Sequence, residues 1–302
     1  MKTWLLLAAM ALTGITGMAQ ADEVDLKNYK MAREYIKKEK VTVTVTVEQA
    51  FAQDAILVVG EGVPKKGTSG AQRRLTAIRA AEVAAQRSLA ELLRGVSIVA
   101  ETTVREAEVD SDIIKSSVSA FIKDFSPVVK DWNEREESAL VILKVGVNGP
   151  RSFGAMMYEK ILTEPKIKEA VEKPAYVPPV DVALPPAAPQ VYDGLVIDAT
   201  EQPFRPALIN RIFNPGGQVL YDPARISQKV LVEQGCGEYT NSVDKARAAL
   251  GKRGVKNPLV VKASGTVSPS DLQVSNEIAA QIFAANQTSG FMADARVAFV
   301  LK

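Results

Sequence analysis

Ala71-Gln-Arg-Arg-Leu-Thr-Ala-Ile-Arg-Ala-Ala-Glu-Val-Ala-Ala-Gln-Arg-Ser-Leu-Ala-Glu-Leu-Leu-Arg94 reads as one long helix. It is built from Ala, Arg, Leu, Glu and Gln, all good helix formers. Leu75, Ile78, Ala81, Ala85, Leu89 and Leu92 recur at helical spacing and predict a buried stripe. Seven alanines (71, 77, 80, 81, 84, 85 and 90) let such a helix lie close against a sheet. Gly95 is a natural C-terminal stop. Upstream, the apolar run 55–59 leads into Gly60-Glu-Gly62-Val-Pro64 and a polar loop ending at Gly70. Before it, Val41-Thr-Val-Thr-Val-Thr-Val47 alternates strictly and predicts a strand. An amphipathic helix is expected over 24–39. Downstream, the pattern predicts a strand over 96–106, a helix over Asp112–Asp124, a hairpin with arms 127–132 and 139–147, and a helix over 152–162. This order predicts an α+β sheet covered by helices on one face.

The clearest boundary is Pro-rich, with six prolines between residues 173 and 189. Proline lacks the donor that helices and sheets require, so 174–189 reads as an extended spacer. The expected organisation is 1–21 signal peptide, 22–54 N-terminal helix and strand, 55–173 α+β domain, 174–189 linker and 190–302 second α+β domain. The fold class is therefore α+β, two small domains joined by a Pro-rich linker. In the second half the pattern predicts a strand over 194–199 and a hairpin around Asn214-Pro-Gly-Gly217 with arms 207–213 and 218–221. A helix opened by Asp222-Pro223 and closed by Gly235 follows, then a helix over 242–250, a strand over 259–263, a helix over 276–285 and a strand over 295–301.

The first residues carry export signals. Lys2 precedes the short apolar run Trp4-Leu-Leu-Leu-Ala-Ala-Met-Ala-Leu12, and Ala19-Gln-Ala21 offers a small-x-small cleavage site. The run is shorter than the roughly 20 apolar residues of a spanning helix. The expectation is cleavage after Ala21, a periplasmic or otherwise exported product beginning at Asp22, and no transmembrane anchor. The 302 residues contain no histidine, which removes His-based acid–base work and His-ligated metals. The single cysteine, Cys236, excludes an intrachain disulfide and multi-Cys metal sites. Lys and Arg total 37 against 35 Asp and Glu, without the basic excess of a nucleic-acid binder. The two halves carry 24 basic against 24 acidic residues (22–173) and 12 against 11 (174–302), so neither is a polyelectrolyte. No catalytic residue, cofactor site or metal site is predicted.

The residues singled out for partner contact are arginines and lysines. Arg74, Arg79 and Arg87 lie on the long helix, and Lys252, Arg253 and Lys256 cluster after the helix at 242–250. Guanidinium forks suit carboxylate or phosphate. The competing reading is a solvated face with local pairs to Glu82 and Glu91. Six basic and two acidic residues over 27–40 suit a docked arm or an anionic surface. Gly62-Val-Pro-Lys-Lys-Gly67-Thr-Ser69 lacks the Lys that follows the second Gly of a phosphate loop, so it reads as a strand–helix connection. Asp198 and Glu201 are the carboxylates a hydrolase would use, although two acids in one loop do not make a glycosidase cleft.

Val58-Val-Gly-Glu-Gly-Val-Pro64, Arg74-Leu-Thr-Ala-Ile-Arg-Ala-Ala81, Ala85-Gln-Arg-Ser-Leu-Ala-Glu91, Gly95-Val-Ser-Ile-Val99 and Thr102-Thr-Val104 together resemble the Lpp-twenty lipoprotein family. The N-terminal region of flagellar assembly protein T is similar. The resemblance covers about 55–147 and lacks the lipidated cysteine of the lipoprotein members. It implies an exported envelope or surface protein, some relatives being connected with flagella, and no catalytic residue. The expected function is non-enzymatic protein–protein assembly as a flagellum-associated or other envelope scaffold, with envelope or flagellar proteins as partners. Self-association is expected through sheet edges such as 41–47, and no nucleic acid is. The alternatives are a cell-wall or surface-polymer binding module and a carboxylate-dependent hydrolase.

Overall fold

The computed structural model describes residues 26–161, 163, 175–178 and 191–302. The expected signal peptide and most of the expected linker lie outside the described residues. The chain is α+β, with separate sheets in its N-terminal (26–161) and C-terminal (194–300) regions.

In the N-terminal region β1 (Ala55–Gly62) pairs antiparallel with β5 (Ser138–Gly146), and β5 pairs with β4 (Val129–Asn133). The long helix, α3 (Ala71–Arg94), packs on one face of this sheet. Its buried residues are Ala77, Ala81, Ala85, Leu89 and Leu93, and Leu75 is 64% exposed. The stripe is thus rotated by part of a turn from the spacing expected. The reason lies in the glycines of β1. A Cβ at Gly60 would stand 2.9 Å from Ala85 Cα, and one at Gly62 2.8 Å from Ala80 Cβ. Helix backbone lies directly on strand backbone, and only glycine opposite alanine permits that approach.

The opposite face of the sheet is covered as well. A 3-10 turn at Leu26–Asn28 and α1 (Lys30–Glu39) replace the expected continuous helix, with Tyr29 extended between them. Tyr29 and Ala32 pack on Leu57, Val129, Leu140 and Ile142. Helices on one face were expected; helices lie on both. That is why β5 reads as a continuous apolar run instead of an alternating one.

The predicted strand over 41–47 does not form. Residues 41–46 run extended beside β1, and Val47 opens a short helix, α2 (Val47–Ala52), capped by Thr46. Beyond one backbone bond, Thr44 N–H to Leu57 O at 2.8 Å, side chains take the place of a ladder. Thr44 Oγ1 accepts the Leu57 N–H at 2.9 Å, and Gln53 Nε2 donates to Thr44 Oγ1 at 2.6 Å and to Ala55 O at 3.0 Å. These threonines serve as local acceptors and caps, so 41–47 is no edge strand for self-pairing. The strand expected over 96–106 is instead the small hairpin β2 (Ser97–Val99) and β3 (Thr102–Thr103), followed by α4 (Val104–Asp110). A capping box between Thr103 and Glu106 starts that helix. Next come α5 (Asp112–Asp124), as expected, and α6 (Phe153–Ile161).

In the C-terminal region β6 (Gly194–Asp198), β10 (Glu238–Thr240), β11 (Pro258–Lys262) and β14 (Val297–Val300) form a parallel sheet in the order β10-β14-β6-β11. The expected first hairpin arm is split at Asn210 into β7 (Ala207–Ile209) and β8 (Arg211–Phe213). Asn210 Oδ1 accepts the Ala207 N–H at 2.8 Å, and its amide donates to Arg205 O at 3.2 Å, substituting for ladder bonds. β8 joins β9 (Val219–Tyr221), β13 (Asp271–Gln273) and β12 (Gly265–Ser268) in a second sheet. Pro223 opens only a 3-10 turn, and the helix α7 (Gln228–Gln234) is capped by Ser227. α8 (Val243–Lys252) covers one face of the parallel sheet through Ala246 and Leu250. α9 (Asn276–Ser289) completes the unit.

The two regions meet along a shared core. β7 pairs with β2 in parallel, Ser97 opposite Ala207 and Val99 opposite Ile209. Phe51 stands edge-on to Tyr239 at 5.1 Å between centroids, and Tyr158 Oη donates to Leu208 O at 2.8 Å. Among the described residues no helix is long and apolar enough to cross a membrane.

Candidate interaction surface

Beside this seam, α5 and α6 from the first region and α7 from the second enclose an open groove of about 500 Å³. α5 ends with Phe121 and Phe125 one turn apart, their centroids 4.7 Å from each other, and Phe121 also packs on Phe153 at 5.6 Å. Phe121 and Phe125 remain half-buried because α5 stops here and the chain turns away into β4. α6 supplies Ala155 and Met156, and α7 supplies Val232. Polar groups stand around these apolar ones: Asp124 and Ser126 on the first wall, Arg151, Ser152 and Glu159 along the second, and Gln228 on the third. Arg151 is exposed, sits at a positive φ of 61°, and pairs with no acid among the described residues. It shares that left-handed conformation with Lys40, Asp54, Ala100, Glu137 and Ala295, all outside the groove.

Cys236, Asp198 and Glu201 lie outside the groove and are engaged. Cys236 is buried, with its Sγ 3.0 Å from Tyr239 Oη. Burial pushes its thiol up, against the lowering effect of the Tyr239 hydrogen bond. Tyr239 Oη also donates to Ala207 O at 2.9 Å, and Tyr221 Oη donates to Cys236 O. This cluster ties the parallel sheet to β7. Asp198 folds back on its own loop, accepting from Thr200 N at 3.0 Å and Thr200 Oγ1 at 2.7 Å. Burial alone would raise its carboxyl, but those donors and Lys262 hold it below the ordinary aspartate value. Glu201 is exposed and paired with Lys262 at 3.1 Å. Among the described residues no three His, Cys, Asp or Glu side chains converge as metal ligands.

The structure disperses the basic residues singled out from the sequence. Arg74, Arg79 and Arg87 are exposed on α3, away from the groove. Arg79 donates to Glu82 at 3.1 Å, and Lys130 holds the other oxygen of Glu82 at 2.5 Å. Lys252 and Lys256 are exposed near the end of α8. Arg253 turns inward: it donates to Glu238 Oε1 at 2.7 Å, Ala295 O at 2.9 Å and Gln234 O at 2.6 Å. Its guanidinium clamps β10, the end of α7 and the approach to β14. The groove residues were not singled out. Phe121 reads as core in the helical pattern, and only the arrival of α7 from the second region makes it a wall.

Residues 194–302 match the family described as the second domain of Treponema pallidum Tp0624. The match spans the C-terminal unit from the first residue of β6 to the end of the chain, so the protein is a two-domain α+β chain whose second unit is similar to that domain. Among curated proteins none matches the chain.

Proposed function

We propose that this chain is an exported, non-enzymatic envelope protein that acts by protein–protein assembly, its most concrete form a scaffold associated with the flagellar base or another envelope machine. The observation that carries this reading is the open apolar groove with a charged rim. Sites of this composition, aromatic and Met floor with polar rim, suit a protein partner. Export rests on the N-terminal pattern of Lys2, a short apolar run and Ala19-Gln-Ala21. The resemblance of 55–147 to the Lpp-twenty family and to flagellar assembly protein T supports the envelope setting. The close Gly60–Ala85 contact supplies a physical reason for that Gly-x-Gly strand followed by an Arg-Ala-Ala helix.

The test is affinity purification of the chain from cross-linked cell envelopes, with mass spectrometry of what accompanies it. Recovery of basal-body or other machine components supports the scaffold. Recovery of wall material alone, released by salt, replaces it with a polymer-binding module. The exposed Arg247, Lys252 and Lys256 on and just after α8 are the observation behind that second reading.

A further inference from the structure

We propose that the groove between α5, α6 and α7 is a peptide-docking site. Its occupant is a short extended segment of a partner protein that carries an apolar side chain between an acidic and a basic residue. This rests on the assembly reading and names the surface and the chemistry of the partner.

The floor fixes the central residue. Phe121, Phe125 and Met156 are all half-buried, so an aromatic or branched aliphatic side chain entering the groove removes apolar surface on both partners. A volume of about 500 Å³ holds one such anchor with neighbouring backbone and lies within the range of preformed ligand clefts. The ends fix the neighbours. Arg151 precedes α6 and Glu159 lies on its last turn. The six residues from Phe153 to Glu159 rise roughly 9 Å at about 1.5 Å each, and Arg151 stands before the helix, outside it. An extended chain covers that rise in about three residues, at roughly 3.3 Å each. Arg151 has no acid partner among the described residues, so its fork is available to a carboxylate. Among the described residues Glu159 is paired with the adjacent Lys160 alone, at 2.9 Å, and its side chain is 60% exposed. Asp124 adds a second carboxylate on the α5 wall.

Charge decides between the candidate occupants. Among the described lining residues an anionic wall polymer would meet two carboxylates, Asp124 and Glu159, against one guanidinium, Arg151. A segment of mixed sign satisfies Arg151 and the acids together.

The experiment pans a random seven-residue peptide library, displayed on phage, against the immobilised full chain and against two variants. Ala155→Trp fills the groove. Arg151→Glu reverses one end while leaving the apolar floor. The expected result is at least tenfold enrichment on the native chain over Ala155→Trp. The enriched peptides should share an aromatic or branched aliphatic residue within three positions of both an acid and a base. On Arg151→Glu the acidic preference should disappear while the apolar one persists. Matching thermal melts establish that the variants are folded; a variant that melts early is replaced by Met156→Glu for the floor or Arg151→Gln for the end. Equal enrichment on native and filled chains overturns the proposal. So does an acidic preference that survives Arg151→Glu, or displacement of the peptides by a soluble wall fragment. Envelope cross-linking with Ala155→Trp separates the two levels. Partners retained by that variant remove the groove and leave the assembly reading. No partners on the native chain removes the assembly reading itself.

Discussion

Arg211 and Asp271 stand opposite each other in the parallel pairing of β8 with β13 and close a bidentate ion pair, Nη2 to Oδ2 at 2.7 Å and Nε to Oδ1 at 3.0 Å, with side chains only 3% and 2% exposed. Asp271 Oδ1 also accepts the Arg211 backbone N–H at 3.2 Å, and Ser268 Oγ donates to Oδ2 at 3.0 Å. The guanidinium lies 5.2 Å from the ring centroid of Phe213. A buried pair is costly to half-remove because the surviving charge stays desolvated. Asp271→Ala is expected to lose about 3–5 kcal/mol of stability. The double substitution Arg211→Met with Asp271→Leu should lose less than Asp271→Ala alone. Urea titrations of the three variants check this, and a double variant worse than the single one would contradict it.

Glycines at different depths should respond with opposite signs. At Gly60 an added methyl meets the backbone of Ala81 and Ala85, which can move only with the whole of α3. Gly60→Ala is therefore expected to cost at least the roughly 1–3 kcal/mol typical of overpacking. Gly251 lies inside α8 with nothing within 4 Å of an added Cβ. Gly251→Ala should stabilise by about 0.5–1 kcal/mol through helix propensity and reduced freedom of the unfolded chain. Thermal melts of both variants, one falling and one rising, are the measurement.

The same glycines show how far the sequence could be read. α3 and α5 matched their expected bounds because both carry strong helical periodicity and a defined stop. What failed was information held by single side chains acting at a distance. Thr44 and Gln53 turned an ideal alternating strand into a side-chain-bonded strap. Asn210 split one hairpin arm between two sheets. The short β10, β12 and β13, three or four residues each, carry too few positions for a period to appear. The groove was hidden for a related reason. Its aromatic floor belongs to α5, but its third wall, α7, comes from the other region of the chain and has no local signal in the sequence of α5. Arg253 was visible as a charge within a basic cluster, while its three inward acceptors, on Glu238, Gln234 and Ala295, were not.

Glu82 gives the fold a pH dependence of predictable sign. Its burial pulls the carboxyl up, but the hydrogen bonds from Lys130 and Arg79 outweigh that and leave it below the ordinary glutamate value. A depressed carboxyl contributes stability above the unfolded-state value and loses it as pH falls through the folded one. Glu82→Gln should therefore be less stable than the native chain at pH 7, on the order of 1 kcal/mol given the exposure of Arg79. The difference should shrink steadily on acidification below the ordinary glutamate range. Melting temperatures of both proteins across that range test it; a gap independent of pH would exclude the charge as its cause.

Cys236 reports on the seam between the two regions. Its thiol is buried against Tyr239 and raised by that burial, so little reactive thiolate is present at neutral pH. Ellman's reagent should leave the native protein unmodified on a timescale that fully labels it in denaturant. Raising the pH to 9 should accelerate native labelling far less than it accelerates labelling of the unfolded chain. Prompt labelling of the native protein would show that β7 and β10 separate readily.

The seam also determines how the molecule unfolds. Each region has its own sheets, yet neither closes its core alone. β7 takes β2 as its parallel neighbour, Tyr158 of α6 reaches Leu208 O, Ser270 Oγ donates to Ala100 O at 3.0 Å, and Phe51 packs edge-on to Tyr239. Separating the regions would uncover the β2 and β7 edges and strand the Tyr158 hydroxyl, which burial has already pushed well above the ordinary tyrosine range. Unpaired buried polar groups and exposed edges both carry a cost, so the regions are expected to unfold together. Calorimetry of the whole chain should show one transition. A fragment covering 190–302 should melt well below it, bind a dye for exposed apolar surface, and associate through the uncovered β7 edge. Ser270→Ala removes one bond across the seam and should lower the single transition slightly without splitting it, by about 0.5–1.5 kcal/mol of net hydrogen-bond energy. Two resolved transitions in the native chain would instead make the shared core a docking contact between independently stable units.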